Sequence, residues 1–294
     1  MDKELIYHGI DKMEQMGATG EGIKILVLEN PSKDHSLNVA AAVRWVAPEV
    51  EVIRDSIDHR ELPAYCREQG IDVINISQAT SFISEERNAA YCQFVQDGGI
   101  LFCAAGNWTD QGPFGVGKEV GIMIGAGTIR SDGKAYRDSY SGIHEEMDFM
   151  FLSDKLKMNN GTSFTSPMAA AWAARLLTLK RFTQPEIYQI MMDMAEPLAD
   201  DTITGWDKFQ GWGAPRFDLA KIARYLEEED MAKVIEMWIG KQGYLVDGES
   251  KIMDMPPVIT NGRTLVPIRA VAEAFGARVD YEPGNQKITI TMGD

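Results

Sequence analysis

"IKILVLENPSKDHSLNVAAAVRWVAPEVEVIRD", residues Ile23 to Asp55, passes from an apolar run through an Ala-rich helical stretch to a second apolar run. Short, unbroken apolar runs of this kind mark strands buried on both faces, which belong to parallel sheets covered by helices. The rhythm continues along the chain. Runs at 72–77 (DVINIS), 99–107 (GILFCAAGN) and 121–128 (GIMIGAGT) are spaced by helical stretches at 62–70 and 84–98. The expected fold class is α/β, a mostly parallel sheet with helices on both faces, whose ligands bind beyond the carboxyl ends of the strands.

Further on, residues 183–197 and 219–240 read as helices, the second heavily charged, around a Gly/Trp-rich turn at 205–218. The last stretch changes character: two hairpin signals, VDGES (246–250) and EPGNQ (282–286), bracket one short amphipathic helix, IRAVAEAFG (268–276). The expected organisation is an N-terminal extension over 1–20, a main domain over 21–238 and a small α+β domain over 239–294.

The 294 residues carry a net charge of −15, which works against nucleic acid or an anionic membrane as partner. Residues 231–294 hold seven basic and eight acidic side chains, so nearly all of the excess lies in the larger domain. Three cysteines, Cys66, Cys92 and Cys103, form neither a paired framework nor a zinc-ligand spacing. No run reaches the roughly 18 apolar residues of a membrane helix, and the first thirty residues lack a secretory leader pattern. A cytoplasmic location and no cofactor or metal are the expectations.

The residues with chemistry fall at strand-to-helix junctions. In NNGTSFTSPMAAAWAARLL (159–177) a polar Gly-containing turn runs directly into an apolar helix. Ser163 stands at the helix start, where unpaired N–H groups and the helix dipole favour developing negative charge. Asn160 and Gly161 supply the turn, and Pro167 is expected in the early helix, where no donor is needed. Asn107 follows the small residues Ala104, Ala105 and Gly106 at one strand end, and Glu29 ends another. His35, one of only four histidines, opens an apolar helix. A serine, an imidazole, an amide and a carboxylate on one sheet edge suit nucleophilic catalysis.

These segments resemble the subtilisin-like serine proteases. GTSFTSP is similar to that family's nucleophile motif, HSLNVAAAV with the following VAPEVEVI to its histidine helix and next strand, AAGN to its oxyanion asparagine, and DVINIS to its substrate-lining strand. GAGTIRSDGKAYRDSYSG (125–142) also resembles the stretch leading to the serine, so the likeness spans about residues 20–220. It implies Ser163 as nucleophile, His35 as general base, a carboxylate orienting the histidine, and Asn107 as oxyanion donor. It implies a peptide substrate lying along Ser77, Gln78, Ala79, Ala104, Ala105, Gly106 and Thr162.

The chain departs from the family pattern at the acid. The family ends its first strand in aspartate; here Glu29 holds that place, with Asp34 as a competitor whose adjacency to His35 makes a side-chain bond awkward. The connection between acid and histidine is short, the usual calcium-binding loop is missing, and the stretch before residue 20 leaves no room for the family's folding prodomain, so the expectation is a chain that folds unaided or has lost that segment. An inactive scaffold of the same fold that binds peptides is the alternative to an endopeptidase. The tail ITNGRTLVPIRAVAEAFGARVDYEPGNQKITI resembles the stalk-type domain named for the copper amine oxidase N-terminus. It contains no His or Cys, so copper has no ligand support; docking, substrate or envelope targeting, self-association, or a passive folded cap are the roles left open. GPFGVGKE (112–119) imitates a phosphate loop, but Glu119 replaces the magnesium-binding Ser/Thr.

Overall fold

The computed structural model describes residues 1–78, 84–107, 120–143, 145–153, 161–199, 205–227, 234–260, 262–275 and 277–292. Its contacts separate into two compact units, Met1–Leu226 and Glu227–Asp294.

The first unit begins with two short helices, α1 (Lys3–Tyr7) and α2 (Ile10–Gln15). There follow β1 (Lys24–Leu28), α3 (Asp34–Val46), β2 (Glu51–Asp55), α4 (Leu62–Gln69), β3 (Val73–Ile76), α5 (Glu85–Gln96), β4 (Ile100–Ala104) and β5 (Ile122–Ile129). The unit continues with β6 (Ala135–Arg137), β7 (Phe149–Leu152), α6 (Thr162–Leu179), α7 (Gln184–Met194), β8 (Ala195–Glu196), β9 (Ala214–Pro215) and α8 (Leu219–Leu226). Strands pair in the order β2-β1-β3-β4-β5, all parallel, with β7 parallel on the far side of β5 and β6 antiparallel to its end. Each strand read from the sequence is present. β7 was not among them: its four residues, FMFL, are too short a run to stand out beside the longer ones.

Alternation along the strands feeds two separate apolar layers. Ile25, Val27, Val73, Ile100 and Phe102 face a core built with α3 and α6, whereas Leu26, Ile74, Leu101 and Cys103 face one built with α4 and α5. Helices therefore cover both faces. α6 is buried along nearly its whole length, and Trp172 at its centre is fully enclosed. Truncating such a side chain to alanine costs about 3–5 kcal/mol.

Residues 1–20 pack into this same core through Leu5, Ile10, Met13 and Ala18. His8 joins three elements: its Nδ1–H donates to the Pro215 carbonyl at 2.6 Å, its Nε2 accepts the Leu152 N–H at 3.0 Å, and its ring stacks on Phe151. Burial pushes its pKa down to about 4.

The second unit contains a three-stranded antiparallel sheet of β10 (Ile235–Met237), β11 (Gly243–Val246) and β12 (Glu249–Ile252). Two hairpins follow, β13 (Val258–Thr260) with β14 (Arg263–Leu265), and β15 (Ala277–Glu282) with β16 (Lys287–Met292), separated by helix α9 (Ile268–Ala274). Asp247 and Gly248 both take positive φ, 51° and 80°, the conformation a two-residue type I′ hairpin demands. The expected charged helix over 219–240 is corrected. α8 ends at Leu226, and Ile235 and Met237 alternate with exposed Glu236 in a strand against the cluster of Tyr244 and Val246. Their period is two, not 3.6.

Candidate active site

The carboxyl ends of β1, β3 and β4 gather the polar residues. Glu29 follows β1 directly; its N–H still bonds the Asp55 carbonyl at 2.9 Å, so the ladder to β2 holds its backbone. The carboxylate is buried. Oε1 accepts from His35 Nδ1 at 2.6 Å and from Gln78 Nε2 at 2.8 Å, and Oε2 has no partner among the described residues. Short bonds to a carboxylate are the strong, charge-assisted kind. The pairing fixes the tautomer: Nδ1 carries its hydrogen toward Glu29, leaving Nε2 as the acceptor. Asp34, on the first turn of α3, is exposed and makes no bond to the His35 ring.

Ser163 is the second residue of α6. Its Oγ donates to the Ser77 carbonyl at 2.9 Å and makes no hydrogen bond to His35; the imidazole instead lies 5.7 Å from the ring of the next residue, Phe164. The structure thus joins acid to imidazole and brings the imidazole beside the serine segment. The Ser163 hydroxyl itself is turned toward β3.

Pro167 differs from its expected place. α6 begins at Thr162, so Pro167 is the sixth helical residue, past the first turn, and lacks the N–H that would bond the carbonyl four residues back. That carbonyl belongs to Ser163, and Ser77 Oγ donates to it at 2.8 Å. Ser77 in turn accepts from Asn75 Nδ2 at 2.8 Å, while Asn75 Oδ1 accepts from Ser166 Oγ at 2.7 Å. All three side chains are buried. This chain anchors the serine turn to β3. Asn75 and Ser166 were not picked out from sequence; the available signal was a lone amide inside the apolar run DVINIS.

Asn107 grips the same helix from β4. Its Oδ1 accepts from the Thr162 N–H at 2.9 Å and from Thr162 Oγ1 at 3.1 Å. Both bonds define the amide's orientation and leave Nδ2, the donor, directed elsewhere. Gly161 permits this approach: its φ is +134°, and a Cβ there would stand 3.0 Å from Asn107 Nδ2. Phe164 N–H bonds Gly161 O, while the Ser163 N–H has no partner among the described residues.

The remaining substrate-lining residues differ in availability. Ala105 N–H bonds the Ile124 carbonyl at 3.0 Å. Gly106 donates to Thr162 Oγ1 and accepts from the Gly142 N–H, both at 3.0 Å, and Thr162 is buried as a clamp between the two loops. Ala104 is half-buried at the end of β4, Gln78 is half-buried, and Ala79 lies outside the described residues, as do Asn160 and 112–119. Cys103 is buried, and desolvation, with the Asp148 charge adding to it, raises its thiol far above the ordinary range. Among the described residues no His, Cys, Asp and Glu cluster could hold a metal, and no helix is long and apolar enough to cross a membrane.

No curated protein matches the chain in sequence. Among solved structures, "S41 Psychrophilic Protease" is similar at 16% identity and a TM-score of 0.57, over 68% of this chain and 93% of that one. Fervidolysin from Fervidobacterium pennivorans, described as a keratinolytic enzyme related to subtilisin, is similar at 15% identity and a TM-score of 0.59, over 79% of this chain and 46% of that one. The prenylagaramide maturation protease PagA is similar at 17% identity and a TM-score of 0.54, over 75% of this chain and 99% of that one. These likenesses concern the fold. The copper amine oxidase N-terminal domain model matches residues 224–290 and the subtilase family model residues 12–213. With more than half its length under that second match and its acid, imidazole and serine segments gathered at one sheet edge, the chain belongs to the subtilase family.

Proposed function

We propose that the protein is a serine endopeptidase in which Ser163, His35 and Glu29 act as a triad and Asn107 donates to the oxyanion. The observation that carries this reading is the 2.6 Å bond between His35 Nδ1 and a buried glutamate. A carboxylate in that place keeps Nε2 free as the base and stabilises the imidazolium that forms when it takes a proton.

Rotation of the Ser163 hydroxyl away from the Ser77 carbonyl starts the reaction. Oγ attacks the scissile carbonyl carbon, its proton passes to His35 Nε2, and the carbonyl oxygen takes the negative charge. Asn107 Nδ2 and the Ser163 N–H receive that oxygen; fixed donors of this kind act strongly because they need no reorganisation as charge develops. Collapse expels the amine, which leaves with the proton held by His35. Water then attacks the acyl group on Ser163 by the same route in reverse.

Incubation with a fluorophosphonate probe and with denatured casein tests the reading. Labelling and cleavage by the intact protein, both lost in Ser163→Ala, are the expected result. Absence of both in a folded protein would leave the inactive peptide-binding scaffold as its function.

A further inference from the structure

Glu29 has one more rotatable bond than the aspartate of the family pattern, so a fixed backbone leaves its carboxylate free to swing. Its N–H bond to the Asp55 carbonyl holds the main chain only, and ordering the side chain costs conformational entropy. A single bond from His35 would let acid and imidazole move together. The structure supplies a second point: Gln78 Nε2 donates to the same oxygen, Oε1, at 2.8 Å, beside His35 Nδ1 at 2.6 Å. His35 reaches the carboxylate from α3 and Gln78 from just beyond the end of β3, so two separate elements grip it.

Chemistry fixes the orientation of the amide. An ionised carboxylate only accepts hydrogen bonds, so Gln78 turns its nitrogen, not its oxygen, toward Glu29. The amide also brings no charge. A lysine or arginine in its place would offset the negative charge that stabilises the imidazolium, whereas an amide holds the carboxylate and leaves that charge intact. Gln78 and Glu29 both line a cavity of about 210 Å³, and the amide shields Oε1 from the water that such a space admits. The preceding residue serves the other end of the site: the Ser77 carbonyl accepts from Ser163 Oγ, and Ser77 Oγ donates to the Ser163 carbonyl. Two adjacent residues after β3 thus touch both the acid and the serine turn.

We propose that Gln78 is a positioning residue for the triad, locking the longer acid so that His35 keeps its tautomer and its direction toward Ser163. The proposal rests on the peptidase reading and adds a residue that reading does not include.

The test uses the full chain and a fluorophosphonate probe. Gln78→Met keeps length and bulk but has no donor. Its maximal labelling rate is expected to be about tenfold lower, the scale of one hydrogen bond to a charged group, with the half-saturating probe concentration within about twofold. Gln78→Asn keeps an amide but draws it back by one methylene, and is expected to slow labelling as much. A second readout needs no reaction at Ser163: the His35 Nδ1 hydrogen in proton NMR, assigned by its loss in His35→Gln. Its exchange with water is expected to be about tenfold faster in Gln78→Met, as the bond to Glu29 opens more often. An unchanged labelling rate, an unchanged exchange rate, or absence of that resonance from the unchanged protein overturns the proposal. So does a raised half-saturating concentration with the maximal rate retained, which would make Gln78 a probe-binding residue. The peptidase reading fails separately, as absence of labelling in the unchanged protein, and the exchange rate still decides whether Gln78 holds Glu29 against His35.

Discussion

His35 Nδ1 stands 2.6 Å from Glu29 Oε1, although the two residues are separated by a strand end, a short turn and the start of a helix. The glutamate reaches because its backbone stays in register with β2 while α3 begins close by, placing the ring over the end of β1. A second donor, Gln78 Nε2, steadies the same oxygen.

Replacing Glu29 with Gln retains shape and an acceptor but removes the charge that stabilises the imidazolium. Steady-state kinetics on a peptide substrate are expected to show kcat lower by about 10³–10⁴, with KM changed only a few-fold. Asp34→Asn, at an exposed position without contact to the ring, is expected to remain within about twofold of the unchanged protein. A larger loss at Asp34 than at Glu29 would reverse the assignment of the acid.

Asn107 has two separable functions, since its oxygen ties Thr162 and its nitrogen is left to donate. Asn107→Asp keeps both bonds from Thr162 and loses the donor, so kcat is expected to fall by about 10²–10³ while the melting temperature holds. Asn107→Ala loses the tie as well, and is expected to reduce stability by about 1 kcal/mol in addition. Thermal denaturation beside kinetics distinguishes the two variants.

Much of the sheet was legible because its strands are unbroken apolar runs of ordinary length, as in IKILVLEN and GILFCAAGN. Four-residue β7 and the strand Ile235–Met237 were not, since the first is too brief and the second abuts a run of charged residues that imitates a helix. At the site, Glu29, His35, Ser163 and Asn107 stood out as chemically capable side chains at strand ends and helix starts. The chain that ties Asn75 and Ser77 to Ser166 did not, because Ser166 is distant in sequence from the other two and the pairing exists only once β3 lies beside α6. The orientation of the Ser163 hydroxyl is likewise a rotamer, which no pattern of residues encodes.

Asn75 is buried between two hydroxyls, donating to Ser77 and accepting from Ser166. Asn75→Leu leaves both hydroxyls enclosed with fewer partners and loosens the tie to the Ser163 carbonyl that Pro167 cannot provide from within the helix. Urea denaturation is expected to show a loss of about 2–4 kcal/mol, the scale of two unsatisfied buried groups. A fall in fluorophosphonate labelling rate at temperatures where the variant remains folded is also expected; unchanged labelling would confine Asn75 to a structural role.

His8 makes the folded state acid-sensitive at a distance from the catalytic segments. Its folded pKa, lowered by burial from 6.5 to about 4, lies below the unfolded value, so the unfolded chain binds the extra proton first as pH falls. The stabilising effect of keeping this ring neutral is fully present above about pH 6.5. It declines between 6.5 and 4, and by pH 4 most of about 3 kcal/mol is lost. Protonation would place a hydrogen on Nε2, facing the Leu152 N–H that now donates to it, and the contact among α1, β7 and β9 would open. In His8→Gln the whole protein is expected to be less stable at neutral pH, yet its urea midpoint should change less across pH 4–6.5 than that of the unchanged protein. Parallel pH profiles for the two proteins would show that some other group carries the acid response.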